Sequence, residues 1–126
     1  MLLDINDLLG KPYKAHSRGP ESYDCYGLAI EVAKRMGHTV PDMFELIQSD
    51  VNDPHDVNYA INVEGLIKTV TPNFGDVVMF FDSKGRIYHC GIVLKNGDMI
   101  HCNKNGVHIM KITDYKKKGE YYTWQR

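Results

Sequence analysis

The stretch Tyr23-Asp24-Cys25-Tyr26-Gly27-Leu28-Ala29-Ile30-Glu31-Val32-Ala33 marks the point where an aromatic, turn-prone segment gives way to a helical pattern. Apolar residues at Leu28, Ala29, Val32, Ala33 and Met36 keep the three-and-four spacing of an amphipathic helix, and Gly37 supplies a left-handed cap that ends it. Cys25 therefore opens a helix. The partial positive charge of a helix N-terminus favours thiolate over thiol and lowers a cysteine's pKa. Two histidines, His89 and His101, lie much later, on segments that read as strands. An imidazole can accept the thiol proton and hold it as a counter-ion. A cysteine at a helix start with histidines arriving from a sheet is the raw material of a thiol nucleophile and its base.

The 126-residue chain is long enough for one core, and residues 1–126 are read as a single domain. Hydrophobic content of 43% and charged content of 25% are ordinary globular values, which excludes disordered and fibrous classes. A formal net charge of -1 gives no global electrostatic case for nucleic acid, and Lys116-Lys117-Lys118 reads as a solvated turn before the last strand. The start, Met1-Leu2-Leu3-Asp4-Ile5-Asn6-Asp7, lacks a basic segment and is interrupted by acids, so no secretory signal is expected. No apolar run approaches the roughly 20 residues that span a bilayer. Synthesis in the cytoplasm is the expectation, and three cysteines, an odd number, fit a reducing compartment rather than a disulfide framework.

The first half reads helical: Asp4 to Leu9, Cys25 to Met36, Pro41 to Gln48, and a helix capped by Asp53-Pro54 that runs to about Leu66. The second half reads as five strands: Val77 to Phe81, Ile87 to Leu94, Met99 to Asn103, Val107 to Ile112 and Tyr121 to Trp124. Between them stand the turn signals Asp82-Ser83-Lys84-Gly85, Asn96-Gly97 and Asn105-Gly106. This order predicts an α+β domain with helices packed on one side of a five-stranded antiparallel sheet.

Whether His89 and His101 share a site depends on one hairpin. With Asn96-Gly97 as a two-residue turn, paired positions sum to 193 and the two rings fall on opposite faces. With Lys95-Asn96-Gly97 as the loop, a type I turn with Gly97 as its left-handed bulge, pairs sum to 192. Gly91 then faces His101, and His89 is the diagonal neighbour, roughly 7–8 Å away on the same face. Gly91 has no side chain to block the space between the rings. The site requires the odd loop.

The same register sets Cys90 opposite Cys102 on the other face. Two buried thiols acting as small apolar residues, a cross-strand disulfide and a metal clip are all open to that pair. A zinc site using both His-Cys dipeptides is disfavoured, since adjacent strand residues point to opposite faces. His16 is a further candidate to line the cleft; His38, His55 and His108 read as surface residues.

The ordered set Gly10-Lys11-Pro12-Tyr13, Asp24-Cys25-Tyr26-Gly27-Leu28, Phe74-Gly75-Asp76-Val77-Val78-Met79-Phe80, His89-Cys90-Gly91-Ile92-Val93-Leu94 and Met99-Ile100-His101 resembles the NlpC-type family of papain-like cysteine peptidases and amidases. Twelve residues separate Tyr13 from Cys25, and twelve separate His89 from His101, as in that family. The resemblance implies a papain-like fold with Cys25 as nucleophile, His89 as base and His101 orienting His89. It also places Tyr13 beside the thiolate, gives Asp24 a part in receiving the substrate's amino end, and makes Gly75-Asp76 the turn that opens the first strand. Tyr26 stands where cellular members often carry serine and is similar to phage-encoded ones. Ala15-His16-Ser17-Arg18 replaces the family's usual glycine pair.

The activity so implied is hydrolysis of peptidoglycan stem peptides, at the bond after γ-linked D-glutamate, with no metal or organic cofactor. A phage tail-associated hydrolase, made in the cytoplasm and carried to the cell wall in a virion, fits the expected lack of an export signal. Its partners would be the peptide substrate and phage tail proteins, with no nucleic acid and no membrane. The competing expectations are a non-catalytic tail assembly or adaptor domain of the same fold, and a cytoplasmic cysteine amidase or transferase.

Overall fold

The computed structural model describes residues 4–38, 66–85 and 87–124. Helix α1 spans Cys25–Arg35. The strands are β1 (Leu66–Thr69), β2 (Val77–Phe81), β3 (Ile87–Val93), β4 (Asp98–Asn103), β5 (Gly106–Lys111) and β6 (Glu120–Trp124). They form one antiparallel sheet in the order β1-β6-β2-β3-β4-β5. The α+β class stands, and all five expected strands are present.

The sheet has a sixth strand. β1 pairs with β6 from Leu66↔Trp124 to Thr69↔Tyr121, so Leu66 belongs to a strand where a helix end was expected. The helices expected at Pro41 to Gln48 and from Asp53-Pro54 onward otherwise fall outside the described residues, so α1 alone represents the helical layer there. Asp4 to Leu9 is not a helix. It forms overlapping turns, with Leu8 N donating to Ile5 O and Leu9 N to Asn6 O. The Asp4 side chain takes the Asn6 amide at 3.1 Å, the local competition by which Asp and Asn oppose helix.

Helix α1 begins and ends as its residues dictate. Asp24 is an extended N-cap whose carboxylate accepts the Gly27 amide at 2.6 Å. At the other end Gly37 N donates to Lys34 O and His38 N to Ala33 O, the paired closure of a Schellman motif. Leu28 and Val32 point from α1 into a core with Val77, Met79, Cys90, Ile92, Ile100 and Cys102. Each such aliphatic side chain contributes about 1.5–3 kcal/mol by leaving water. A second cluster, Val78, Phe80, Val93 and Met99, is packed by Tyr115 and Tyr121.

The β3–β4 hairpin takes the register that the histidines need. Ile92 pairs with Ile100 and Val93 with Met99, positions that sum to 192. Its loop is Lys95-Asn96-Gly97, closed by Leu94 N donating to Asp98 O at 2.7 Å. The turn differs from the type I form expected: Asn96 and Gly97 are both left-handed, with φ of 63° and 78°. Asparagine tolerates that region better than most residues, so the loop length, and with it the register, is kept.

The first residues close the far side of the sheet. Gly10 N donates to Val107 O and Val107 N to Lys11 O, so residues 10–11 cover the outer edge of β5. Gly106 has a φ of 89°, and a Cβ there would stand 2.7 Å from Lys11 O, so only glycine fits this junction. Tyr23 N donates to Pro12 O and Lys14 N to Tyr23 O, which lays Tyr13 along the segment leading into α1.

Candidate active site

Cys25 is the first residue of α1 and is half-buried. It lines a cleft of about 210 Å³ together with Tyr13, Tyr88, His89, Cys102 and Tyr115. A hydrogen bond with the Cys90 thiol, another with His89 and the charge of His89 outweigh the cost of burial. They bring the Cys25 thiol down to about 5. Cys102 behaves oppositely: burial pushes its thiol up to about 11, and it donates to Tyr23 O at 3.2 Å.

His89 and His101 meet directly. His89 Nε2 lies 2.7 Å from His101 Nδ1, and the rings are edge-to-face at 76°. Gly91 makes this approach possible, because a Cβ there would be 3.3 Å from His101 Cβ and 3.1 Å from Ile100 O. His101 is fully buried; burial first, then the neighbouring His89 and His108, hold its pKa down to about 4.

The structure thus gathers Cys25, His89, His101 and Tyr13 in one place. Tyr13 feels that place: burial and the charge of Cys25 both raise its phenol pKa. Asp24 is turned the other way. Its two carboxylate oxygens take the Gly27 amide at 2.6 Å, the His16 amide at 3.0 Å and the Arg18 guanidinium at 2.9 Å. Arg18 in turn lies 5.2 Å from the Tyr26 ring centroid. His16 is exposed, has a left-handed backbone and does not line the cleft.

Four participants were not foreseen. His108, expected at the surface, is partly buried, with Nε2 3.0 Å from His101 Nε2 and Nδ1 3.0 Å from Gly106 O. The signal was available, since a two-residue Lys104-Asn105 turn pairs His101 with His108. Tyr115 stacks on His89 at 5.4 Å with an interplanar angle of 7° and stands edge-on to His101. Burial and a hydrogen bond with Tyr88 push the Tyr115 phenol up. Tyr88 itself lines the cleft. Cys90 is a buried, reduced core thiol rather than half of a disulfide, and its sulfur also donates to Cys25 O at 3.6 Å. His38, also expected at the surface, is partly buried and stacks on Trp124 at 4.3 Å. Among the described residues, no group of three or more His, Cys, Asp or Glu side chains is arranged to hold a metal ion.

The sequence profile of the NlpC/P60 family matches residues 10–125. The chain belongs to the NlpC/P60 family. The NlpC/P60 match takes in Tyr13, Cys25, His89, His101 and His108. A probable endopeptidase p60 from Listeria seeligeri is 33% identical over 99 residues, covering 79% of this chain and 16% of the relative. A probable peptidoglycan endopeptidase LytE from Bacillus subtilis is 25% identical over 121 residues, covering 96% of this chain and 32% of the relative. The chain therefore spans a third or less of the length of these curated relatives. The solved NlpC/p60 domain of the peptidoglycan hydrolase SagA superposes with a TM-score of 0.59 at 21% identity, covering 90% of this chain and 86% of that one. NlpC1 from Trichomonas vaginalis superposes with a TM-score of 0.68 at 20% identity, over 95% of this chain and 41% of that one. Both share the NlpC/P60 fold.

Proposed function

We propose that this NlpC/P60 domain is a cysteine-dependent endopeptidase that cleaves amide bonds in peptidoglycan stem peptides. One observation carries the reading: a cysteine held at about 5 shares a cleft with His89, whose far nitrogen is bonded to His101 at 2.7 Å. The thiolate attacks the amide carbonyl carbon. The Cys25 amide, at the first turn of α1 where no intrahelical acceptor exists, serves with a second donor to hold the developing oxyanion. His89 gives its Cys25-derived proton to the departing amine, then takes a proton from water as that water opens the thioester. Cys25 is the nucleophile, His89 the base and acid, and His101 the residue that orients His89.

The bond cleaved is the one following γ-linked D-glutamate. Tyr13 and Asp24 belong to the substrate side of the site; for Asp24 this requires a substrate ammonium to replace Arg18 on the carboxylate. Arg18→Ala should then lower KM for peptides with a free amino end. The reading extends to cytoplasmic synthesis and carriage in a phage tail, supported by the aromatic Tyr26, and mass spectrometry of purified virions tests that part. Zymography on purified peptidoglycan, followed by mass spectrometry of the products, tests the chemistry. Wild type should clear the wall and release fragments cut within the stem, and Cys25→Ala should not. Equal clearing by both proteins removes the thiol mechanism.

A further inference from the structure

The contact of His101 with His108 extends the site beyond the three residues to which the mechanism assigns roles. Its direction follows from one atom that has no choice. The Gly106 carbonyl oxygen can only accept, so His108 Nδ1 carries a proton and donates to it at 3.0 Å. In neutral His108, Nε2 is then a lone pair, and the group facing it at 3.0 Å, His101 Nε2, must carry the proton. That leaves His101 Nδ1 as the acceptor for His89 Nε2–H at 2.7 Å. His89 is left with its Nδ1 lone pair for the Cys25 thiol. Three rings and one carbonyl admit a single neutral pattern.

We propose that His108 is a positioning residue that, by accepting the His101 Nε2 proton, fixes the tautomers of His101 and His89 so that His89 meets Cys25 as a base. Without an acceptor at 108, a neutral His101 is free to carry its proton on Nδ1. It would then face His89 Nε2 as a donor, and His89 would have to present N–H to the thiol. The same direction is needed after proton transfer. The His89 imidazolium has two donors, and only a His101 with a free Nδ1 lone pair can receive the second. His101 is sealed from water in the folded chain, so its Nε2 proton goes to His108 rather than to solvent. His108 is only partly buried, which makes it the outermost ring of the chain.

The rate consequence rests on the hydrolase reading, whereas the proton pattern is readable without any substrate. The test compares His108→Leu, which removes the acceptor, with His108→Gln, whose side-chain oxygen can reach the position of the ring Nε2. Two-bond 1H–15N spectra of histidine-labelled protein in the Cys25→Ala background at pH 8 report which nitrogen of each ring is protonated. His89 and His101 should both be Nε2–H in the otherwise unsubstituted chain and in His108→Gln, and mixed in His108→Leu. With Cys25 restored, kcat on peptidoglycan fragments should fall about tenfold in His108→Leu at unchanged KM, less than the roughly 10²–10⁴-fold of a whole general base. His108→Gln should recover most of that loss. A chain with His101 on Nδ1–H before any substitution at 108, an unchanged pattern in His108→Leu, or equal loss in Leu and Gln variants overturns the proposal. If His108→Leu does not fold, the unsubstituted protein and His108→Gln still decide it through their spectra. Absence of turnover in every protein would count against the hydrolase reading and leave the spectra to judge the proposal.

Discussion

Two adjacent hairpins assemble the histidines, and they do so by different arithmetic. In β3–β4 a three-residue loop gives pairs that sum to 192, which puts the two odd-numbered rings His89 and His101 on one face as diagonal neighbours. In β4–β5 a two-residue turn gives pairs that sum to 209, which sets His101 directly opposite His108. One residue more or less in either loop would send a ring to the other face. The meeting of the three rings is therefore a product of loop length as much as of their own chemistry.

The largest expected effect comes from the β3–β4 pair. His89→Ala should reduce kcat by roughly 10²–10⁴-fold, the scale of a general base, and His101→Ala by less, with circular dichroism unchanged. A His101→Ala loss as deep as that of His89→Ala would mean that His101 itself handles the proton. Next is the spacing between those strands. Gly91→Val should cost roughly 1–3 kcal/mol in denaturant unfolding, because its side chain meets Ile100 O and His101 Cβ, and should also lower kcat.

A smaller effect separates the cysteine from the histidines. Iodoacetamide labelling of Cys25 should keep its rate down to about pH 5 and fall below it, and Cys90→Ala should move that midpoint upward. His101 predicts a stability trend over a neighbouring window. Its folded pKa of about 4 lies below the ordinary 6.5, so between those values the unfolded chain binds more protons than the folded one. Unfolding free energy should thus rise with pH from about 4 to 6.5, and His101→Gln should flatten the rise. The smallest effect is at the rim joining the two hairpins, where Lys111 bonds Asn96 O at 2.7 Å and pairs with Asp98 at 3.0 Å. Both groups are partly solvated, so Lys111→Ala should cost at most about 1 kcal/mol.

The strands and α1 were legible because their signals are local: alternation bounded by Gly and Asn turns, and a capped amphipathic run. β1 was not. Leu66-Ile67-Lys68-Thr69 buries only Leu66, lies at a sheet edge and pairs with β6 far along the chain, with no turn to announce it. The core of the site, Cys25, His89 and His101, could be read from residue type plus hairpin parity. His108 needed the same parity argument applied to the next hairpin. Tyr115 could not be found that way, since it follows the short 3-10 turn after β5 and reaches His89 through packing rather than register. Cys90 escaped because strand alternation describes where a side chain starts, not which helix end it meets. The capping role of Asp24 emerged only with the structure, and its pairing with Arg18 depends on a loop fold with no periodic signal.

The strap of residues 10–11 over β5 ties an early part of the chain to one of the latest. During translation Cys25 leaves the ribosome long before His89, His101 and Val107 exist, so the nascent polypeptide carries a sulfhydryl of ordinary reactivity. Only when β3 packs against α1 do Cys90 and His89 reach that sulfur and bring its pKa down to about 5. The acidity of this thiol is thereby written into the tertiary structure and is absent from the growing chain.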